Sequence, residues 1–457
     1  MGENFSVEVV EIITDDHKRD SFRTHLLYNV YINWLQKNAA QKHYTIQRRQ
    51  EIELTDLTTA PETNAPITRN HEHLLSHFMQ KILHENFQTL TCTELSPTHK
   101  ISADGITKVF QRHIVVGDIH GNWHGLQVIT YNAQLLDNRG HWMGDNDVLI
   151  LLGDTIDRVL GGVAINDHLD ILGQEALVNG GKVIRILGNH EWTLLILLLA
   201  ETNPIVLNGW LNPGNHTDVV LQELNFPQNI IDNFKFLEQL RPILPILSAE
   251  DANAHPLIGK IIQLVVHDRN FRRFIMKIAN NILSGNIVAS TAVGGRILTH
   301  AAISPELVNT LLSDNEDITT FSDADNVNVI DPEKLSNVLN RRLITSVQNL
   351  LSADPYQEEQ KKLRILTDPI FDPVYGIFWN RTNYFDGIHS IVGHECFPGG
   401  VFREIISSQS DASIIFADIG ICCDRHLGYI EIPANADNSN NFFDPNQQIT
   451  AYYIEER

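Results

Sequence analysis

Three short polar segments of the chain carry residue types that bind divalent metal ions. They are rich in Asp, Asn and His, and they occupy Gly117–Asn122, Gly153–Arg158 and Gly188–Glu191. Asp and Asn offer oxygen ligands and His offers an imidazole nitrogen, and this mixture suits hard or borderline divalent cations. The recurrence of such segments in one part of the chain indicates a metal-dependent hydrolase.

A run of apolar residues precedes each polar segment. The runs are Ile114–Val116, Val148–Leu152 and Val183–Leu187, and each is typical of a buried strand. The order strand, helix, strand, helix, strand predicts an α/β fold with parallel strands and right-handed crossovers. Because open α/β sheets bind ligands outside the carboxyl ends of their strands, we expect the three segments to meet at one sheet edge.

A two-metal phosphoesterase needs a bridging ligand and further ligands for each cation. Asp154, at the end of the central strand, is the expected bridge because its carboxylate offers two oxygens. Asp118 and His120 would complete one metal site, and Asn189 would bind the other metal. Two later histidines follow apolar, strand-like runs and are expected to complete the ligand set, namely His300 and His394.

Phosphate hydrolysis also needs charge stabilisation and a proton donor, because the uncatalysed reaction is among the slowest known. Arg158 and Arg381 carry planar guanidinium groups that suit bidentate contacts with phosphate oxygens. His190 is expected to protonate the leaving oxygen, and Asp157 is expected to orient its imidazole. Glu191 is expected to brace the turn rather than to react.

Several further elements are predicted downstream of these segments. Ile287–Val293 and Arg296–Thr299 are expected to form a hairpin, because Gly294-Gly295 suits a primed turn. The apolar spacing of Pro332–Leu351 predicts a helix. Short strands are predicted at Gly376–Trp379, Ser390–Val392, Ser413–Phe416 and Gly428–Ile432.

The composition of the 457-residue chain limits its partners and its location. Apolar residues make up 43% and charged residues 20%, as in ordinary globular proteins. The formal net charge of −22 argues against nucleic acid as a partner, because such binding needs Lys and Arg to neutralise phosphates. The four cysteines show no CxxC pairing, which favours a reducing compartment. No apolar run has the length of a transmembrane segment and no Sec signal peptide is evident, so the expected location is cytoplasmic.

Together the motifs resemble the phosphoprotein phosphatase (PPP) branch of the calcineurin-like metallophosphoesterases. The resemblance covers about residues 110 to 433, and Cys396 stands where many general metallophosphoesterases have a second histidine. Its bacterial and phage members are similar to this chain in the stretches Ile377–Arg381, Val392–His394 and Ile415–Gly420. The resemblance implies a central β-sandwich flanked by helices, with a dimetal site at one sheet edge.

The same resemblance implies residue roles that agree with those expected from the residue types. The metal ligands fall on Asp118, His120, Asp154, Asn189, His300 and His394. The phosphate arginines fall on Arg158 and Arg381, and the acid pair on His190 and Asp157. The implied cofactors are two divalent metal ions, Mn²⁺ first and Fe or Zn as alternatives, whose bridging hydroxide attacks phosphorus in line.

The chain extends beyond this core in several places. The predicted domains are an N-terminal extension, a metallophosphatase catalytic domain, and a C-terminal linker or the start of a further region, at 1–65, 66–433 and 434–457. The long gap from Glu191 to His300 predicts a helical insertion at about 195–285. Val159-Leu160 also departs from the family, in which glycine usually follows the arginine. These departures bear on the substrate class rather than on the core chemistry.

Three functions remain open from the sequence. The first is a metal-dependent phosphoprotein phosphatase, with phosphotyrosine modestly favoured over phosphoserine and phosphothreonine. That preference rests on a weaker resemblance to PPP-type effector phosphatases that intracellular bacteria inject into host cells, one of which acts on phosphotyrosine. For such an effector, the substrates would be host proteins and the location would be the host cytosol. The second function is a small-molecule phosphohydrolase, such as a dinucleoside polyphosphate hydrolase. The third, an inactive scaffold, is disfavoured because every expected ligand is present.

Overall fold

The computed structural model describes most of the chain after residue 111. The described residues are 90–92, 112–137, 139–200, 217–232, 234, 263–322, 327–351, 365, 367–372, 376–381, 385, 387–396, 403–406, 413–421, 427–433 and 449–456. The extension predicted at 1–65 lies outside them. The chain divides into two compact units, Met1–Gln88 with Asp137–His141, and Thr89–Leu136 with Trp142–Arg457. All elements named below belong to the second unit.

The strands are numbered in chain order. They are β1 (Leu90–Cys92), β2 (Arg112–Val116), β3 (Val148–Leu151), β4 (Lys182–Ile186), β5 (Ile287–Val288), β6 (Ser290–Val293), β7 (Arg296–Thr299), β8 (Thr319–Ser322), β9 (Val327–Ile330), β10 (Ser390–Val392), β11 (Arg403–Ile406), β12 (Ser413–Phe416), β13 (Leu427–Pro433) and β14 (Thr450–Glu456). The helices are α1 (Trp123–Asn132), α2 (Gly162–Val178), α3 (Asn189–Ala200), α4 (Asp218–Glu223), α5 (Arg269–Leu283), α6 (Pro305–Ser313) and α7 (Pro332–Leu351).

Two sheets form the centre of the larger unit. The first has the strand order β1-β14-β13-β2-β3-β4-β5, and the neighbours from β2 to β5 are parallel. The second has the order β11-β12-β10-β7-β6, and β10 runs parallel to both β7 and β12. Apolar residues of both sheets share one buried core, to which Val115, Ile150, Leu298, Ile391 and Ile415 belong. The predicted β-sandwich is therefore confirmed.

Helices cover the sandwich because their apolar faces need burial. Helix α5 shows this most clearly, with buried residues at helical spacing from Phe271 to Ile282 and with Asp268 accepting backbone N–H groups at its start. Helices α3, α4, α5 and α7 contribute to a second buried core, with members such as Leu194, Val220, Ile275 and Leu339. The mixed α/β class with flanking helices thus matches the prediction, and the described part of 195–285 is helical.

Most predicted elements lie where the sequence placed them. The three strands before the polar segments are β2, β3 and β4, and the predicted helix Pro332–Leu351 is α7 without change of bounds. The Gly294-Gly295 turn joins β6 to β7, and both glycines have positive φ (54° and 72°), as a primed turn requires. The segment predicted as a C-terminal linker contains β14, which pairs with β13 and β1.

Two strand predictions were wrong in detail. Gly376–Trp379 is a turn, in which the Gly376 carbonyl accepts the N–H groups of Trp379 and Asn380. Its apolar residues Ile377 and Phe378 are fully buried by packing, and burial alone mimics a strand pattern. The predicted strand Ile287–Val293 is divided at Ala289, because its first part pairs with β4 in one sheet and its second part with β7 in the other.

An aromatic stack supports the polar segment at the start of α3. Trp192 is 1% exposed. The centre of its ring lies 3.8 Å from that of Phe371, with an angle of 6° between the ring planes, and 6.2 Å from that of Phe378, with an angle of 9°. We expect Trp192→Ala to lower the free energy of unfolding by about 3–5 kcal/mol, since a large buried ring is replaced by a cavity. Urea unfolding measures this change.

The matched control for Trp192 is a large apolar residue on the surface. Leu177 is 74% exposed, and Leu177→Ala should change the free energy of unfolding by no more than about 0.5 kcal/mol. Equal losses in the two variants would contradict the packing role of the stack.

Candidate active site

The predicted ligands lie just beyond the carboxyl ends of parallel strands in both sheets. Asp118, Asp154 and Asn189 follow β2, β3 and β4 of the first sheet, and His300 and His394 follow β7 and β10 of the second. Hydrogen bonds join the two sets across the sandwich. The carboxylate of Asp118 accepts the backbone N–H of His394 at 3.2 and 3.1 Å. The side chains from the two sheets therefore meet at one edge, as expected.

The side chain of Asp154 lies at the centre of this cluster. Its Oδ2 is 3.5 Å from His120 Nε2, 3.4 Å from His300 Nε2 and 3.7 Å from His190 Nε2. Among the described residues, two buried groups have ligand atoms within 4.8 Å of one another, His120–Asp154–His190 and Asp154–His300–His394. Asp154 belongs to both groups, which is the position that a bridging carboxylate needs.

The two histidines that contact backbone carbonyls direct their second nitrogen into the cluster. His120 Nδ1 lies 2.9 Å from the Ile156 carbonyl oxygen and His300 Nδ1 lies 2.8 Å from that of Leu152. A carbonyl only accepts hydrogen bonds, so each Nδ1 carries the proton and each Nε2 presents a lone pair. Backbone carbonyls orient metal-binding histidines in this way.

The lone pairs and oxygens of the cluster fit a cation. The buried atoms His120 Nε2, Asp154 Oδ2 and His394 Nε2 have no hydrogen-bond partner among the described residues. His300 Nε2 lies 2.8 Å from Asn189 Oδ1, so two acceptor atoms face each other there. Unpartnered buried acceptors are costly, and a shared divalent ion satisfies them. The donor set of imidazoles, carboxylates and an amide oxygen therefore suits the implied metals.

Burial also sets the protonation of the cluster in the direction that metal binding needs. It lowers the pKa of His120, His300 and His394, which favours the neutral imidazole that binds metal. Burial raises the pKa of Asp118, and the negative charges of Asp418 and Asp154 raise it further. Buried carboxylates that repel one another are stabilised by a nearby cation.

The predicted acid pair is formed. His190 Nδ1 lies 2.6 Å from Asp157 Oδ2, and its Nε2 faces the ligand cluster. Burial disfavours the imidazolium, but the Asp154 charge and the hydrogen bond to Asp157 outweigh burial and raise the pKa of His190. A protonated imidazole at this position can donate a proton to a leaving group.

Both predicted phosphate arginines lie at the site and are exposed. The positive charge of Arg158 acts on Asp118, and that of Arg381 acts on His394. Both arginines also act on Asp418. Two guanidinium groups beside the ligand cluster form the kind of surface that binds phosphate oxygens.

Backbone conformation at the site is unusual. Five predicted site residues have positive φ, namely His120 (46°), Asp154 (45°), Asp157 (67°), Arg158 (59°) and His394 (63°). Such conformations cost free energy for residues other than glycine, and they cluster at functional sites where the surrounding structure holds them. The sharp turns after the strands thus direct these side chains into one space.

Glu191 braces the turns, as expected. Its carboxylate accepts the N–H and the hydroxyl of Thr155 at 2.7 and 2.8 Å and the N–H of Gly188 at 3.1 Å. It thereby connects the second polar segment to the third, and its role is structural.

Sequence reasoning assigned no role to Asp418, whose charge acts on Asp118 and is itself affected by Asp154. Asp418 is buried, follows β12, and accepts the N–H of Gly420 at 2.9 Å. Burial raises its pKa to about 6. The signal was present, because an Asp after an apolar strand is the pattern that indicated the expected ligands Asp118 and Asp154.

The chain is similar to known phosphoesterases and phosphatases. Residues 112–269, about a third of the chain, match the family model described as calcineurin-like phosphoesterase. Shewanella-like protein phosphatase 1 of Plasmodium berghei is 37% identical over 91 residues, which are 20% of this chain and 25% of that protein. Shewanella-like protein phosphatase 2 of Arabidopsis thaliana is 32% identical over 81 residues, which are 18% of this chain and 21% of that protein. The chain thus matches about a quarter of the length of these relatives or less.

The chain also resembles solved structures. A cold-active protein-tyrosine phosphatase of a psychrophilic Shewanella species gives a TM-score of 0.40 at 14% identity, over 74% of this chain and 80% of that chain. None of the helices in the described part of the chain combines the length and the apolar character needed to cross a membrane.

Residues 112–269 therefore match calcineurin-like phosphoesterases, and a metal-type cluster lies at the edge of the sandwich to which they contribute. The two Shewanella-like relatives are protein phosphatases by name, in agreement with the PPP resemblance of the motifs.

Proposed function

We propose that this chain is a metal-dependent phosphoprotein phosphatase that hydrolyses phosphomonoesters. The observation that carries the proposal is the position of Asp154, which belongs to two groups of buried ligand atoms. A hydrogen-bonded imidazole and two exposed arginines lie beside these groups. Among phosphoesterase reactions, this combination suits the transfer of a phosphoryl group to water.

The proposed roles follow from the contacts. Asp154 would be shared by two ions, and the residues that would complete their ligand sets are Asp118, His120, Asn189, His300 and His394. When bound, two divalent ions would supply a water of lowered pKa and neutralise phosphate charge.

The protein groups beside the ligands complete the proposed reaction. Arg158 and Arg381 bind and orient the phosphate oxygens, because a guanidinium group matches their geometry. Asp157 holds the Nδ1 proton of His190, so that Nε2 donates its proton to the leaving oxygen. A water activated by the ions would attack phosphorus in line with the leaving oxygen.

Phosphorylated proteins are the proposed substrates because the two Shewanella-like relatives are named protein phosphatases. Manganese is the proposed native metal, since the ligand set combines carboxylate and amide oxygens with imidazoles and includes no thiolate. We further propose that the chain prefers phosphotyrosine over phosphoserine and phosphothreonine. Its proposed targets include host proteins, and its proposed location is the cytoplasm or the host cytosol. The division into domains also stays a prediction.

A matched substrate panel tests the proposal. Phosphotyrosine, phosphoserine and phosphothreonine peptides of one sequence are compared with diadenosine tetraphosphate, each with added Mn²⁺. We expect the peptides to be hydrolysed faster than the nucleotide, phosphotyrosine first. Removal of metal by a chelator should abolish hydrolysis, and added Mn²⁺ should restore it.

Two outcomes would replace the proposal. Faster hydrolysis of the nucleotide would favour the small-molecule phosphohydrolase. Failure to bind two metal ions per chain, together with no hydrolysis, would favour the inactive scaffold.

A further inference from the structure

The loop that carries Asp157 and Arg158 is held by a carboxylate from a helix that lies far from it in the sequence. Glu223, the last residue of α4, accepts the backbone N–H groups of Gly161, Gly162 and Val163 at 2.9, 3.0 and 2.8 Å. These N–H groups lie at the start of α2, where helical N–H groups have no partner within the helix. Gly161 itself supplies no side-chain cap there.

We propose that Glu223 is a positioning residue, which holds the loop 157–163 so that Arg158 and the Asp157–His190 pair face the phosphate. This inference rests on the proposed function, because it assigns those residues to catalysis. It also gives the predicted insertion a role at the site, since α4 lies within residues 195–285.

The loop needs an external support because its backbone is strained. Asp157, Arg158 and Gly161 have φ values of 67°, 59° and 131°. The Val159 N–H bonds to the carbonyl of Asp157 at 2.7 Å, which closes a turn of only three residues. Such conformations persist only where surrounding contacts hold them.

Contacts on both sides of the loop fix its position. On one side, the Val159 carbonyl oxygen lies against Gly121, where a side-chain Cβ would be only 1.9 Å from it. On the other side stands Glu223, which is 1% exposed. The loop is therefore held between the first polar segment and α4.

Two carboxylates of α4 interact with the charge of Asp157. Burial raises the pKa of Glu223 to about 7, against the effect of its three N–H contacts, and the charge of Asp157 adds to the rise. Asp218, in the first turn of α4, acts on Asp157 in the same way. Two carboxylates of one short helix thus lie close enough to Asp157 to affect its charge.

A double-mutant cycle tests whether Glu223 acts through Arg158. Glu223→Ala should lower kcat/KM for a phosphopeptide by about tenfold or more, because small displacements of catalytic groups are costly. In an Arg158→Ala background the same change should have a clearly smaller effect, because only the contribution through the Asp157–His190 pair remains. The kcat/KM of Glu223→Gln should lie between those of the wild type and the alanine variant, since glutamine keeps one acceptor oxygen. This variant replaces Glu223→Ala in the experiment if the alanine variant does not fold.

Hydrogen exchange of the loop gives a readout without activity. Exchange of the Gly161, Gly162 and Val163 amides should become faster in the Glu223 variants. The matched control is Glu175→Gln, whose carboxylate accepts the Trp142 N–H at the other end of α2 and lies outside the proposed site. This control should leave both the loop exchange and kcat/KM near those of the wild type.

Each outcome decides one step of the inference. Unchanged exchange at the loop would overturn it, whatever the activity. Faster exchange with effects of Glu223→Ala and Arg158→Ala that simply add would reduce Glu223 to a helix cap. A wild-type chain without Mn²⁺-dependent hydrolysis would contradict the proposed function, while exchange still decides whether Glu223 holds the loop.

Discussion

Asp154→Asn is expected to lower kcat by about a thousandfold or more and to reduce the metal content below two ions per chain. Charge stabilisation by bound metals contributes several kcal/mol to such reactions, and each 1.36 kcal/mol is a factor of ten. The asparagine is neutral and offers one side-chain oxygen. This oxygen can still accept the backbone N–H of His190, which Asp154 Oδ1 accepts at 3.0 Å. The fold should therefore persist while the bridge is lost.

Metal binding can be measured without catalysis through its effect on stability. Mn²⁺ at a hundred times its Kd should stabilise the wild-type chain by about 2.7 kcal/mol for each of the two sites. The Asp154→Asn variant should gain much less. Metal content by elemental analysis, denaturation with and without Mn²⁺, and phosphopeptide hydrolysis form the measurement.

The control for Asp154 is a carboxylate in an ion pair away from the ligands. Asp167 bonds to Lys277 Nζ at 2.5 Å, so Asp167→Asn removes a partly buried charge without touching the cluster. This variant should keep two metal ions and nearly full activity. Two metal ions and wild-type kcat in Asp154→Asn would remove the central role of that residue.

His190→Ala is expected to lower kcat by about 10²- to 10⁴-fold, the usual contribution of a general acid. The loss should be larger for a phosphoserine peptide than for 4-nitrophenyl phosphate, because a poor leaving group depends more on protonation. The metal content should stay at two, since His190 is proposed to donate a proton rather than to bind metal. The exposed His267 gives the matched control, and His267→Ala should leave kcat unchanged.

The structure allows a clear alternative for His190. Its Nε2 belongs to one of the two ligand groups, together with His120 and Asp154. If His190→Ala lost metal in proportion to activity, and lost activity equally on both substrates, His190 would be a ligand and the proton donor would have to be sought elsewhere.

Local patterns predicted where the candidate site residues lie in the fold, because these residues follow one rule. Asp118, Asp154 and Asn189 each come directly after an apolar run, and the run itself determines the strand. His300 and His394 follow the same rule in the second sheet. Since parallel strands end at a common edge, the rule brings these residues together without further information.

Nonlocal contacts were beyond the reach of the same reasoning. Glu223 lies on a helix whose neighbours in the sequence give no sign of the loop it contacts, 60 to 62 residues earlier. The division of Ile287–Val293 between two sheets was hidden for a similar reason. It depends on Asn340 of α7, whose side-chain oxygen accepts the N–H groups of Ala289 and Ser290 where the chain crosses. Such contacts come from tertiary packing, which periodicity does not encode.

The proposed ligands come from both sheets, so bound metal ions would have a structural effect as well. The first sheet supplies Asp118, Asp154 and Asn189, and the second supplies His300 and His394, so bound ions would tie one layer of the sandwich to the other. A fragment ending at residue 269, where the family match ends, would keep the first set and lack the second. Metal occupancy therefore reports whether the two halves of the chain have come together in register, and a folding chain would acquire its full affinity only when the second layer is in place.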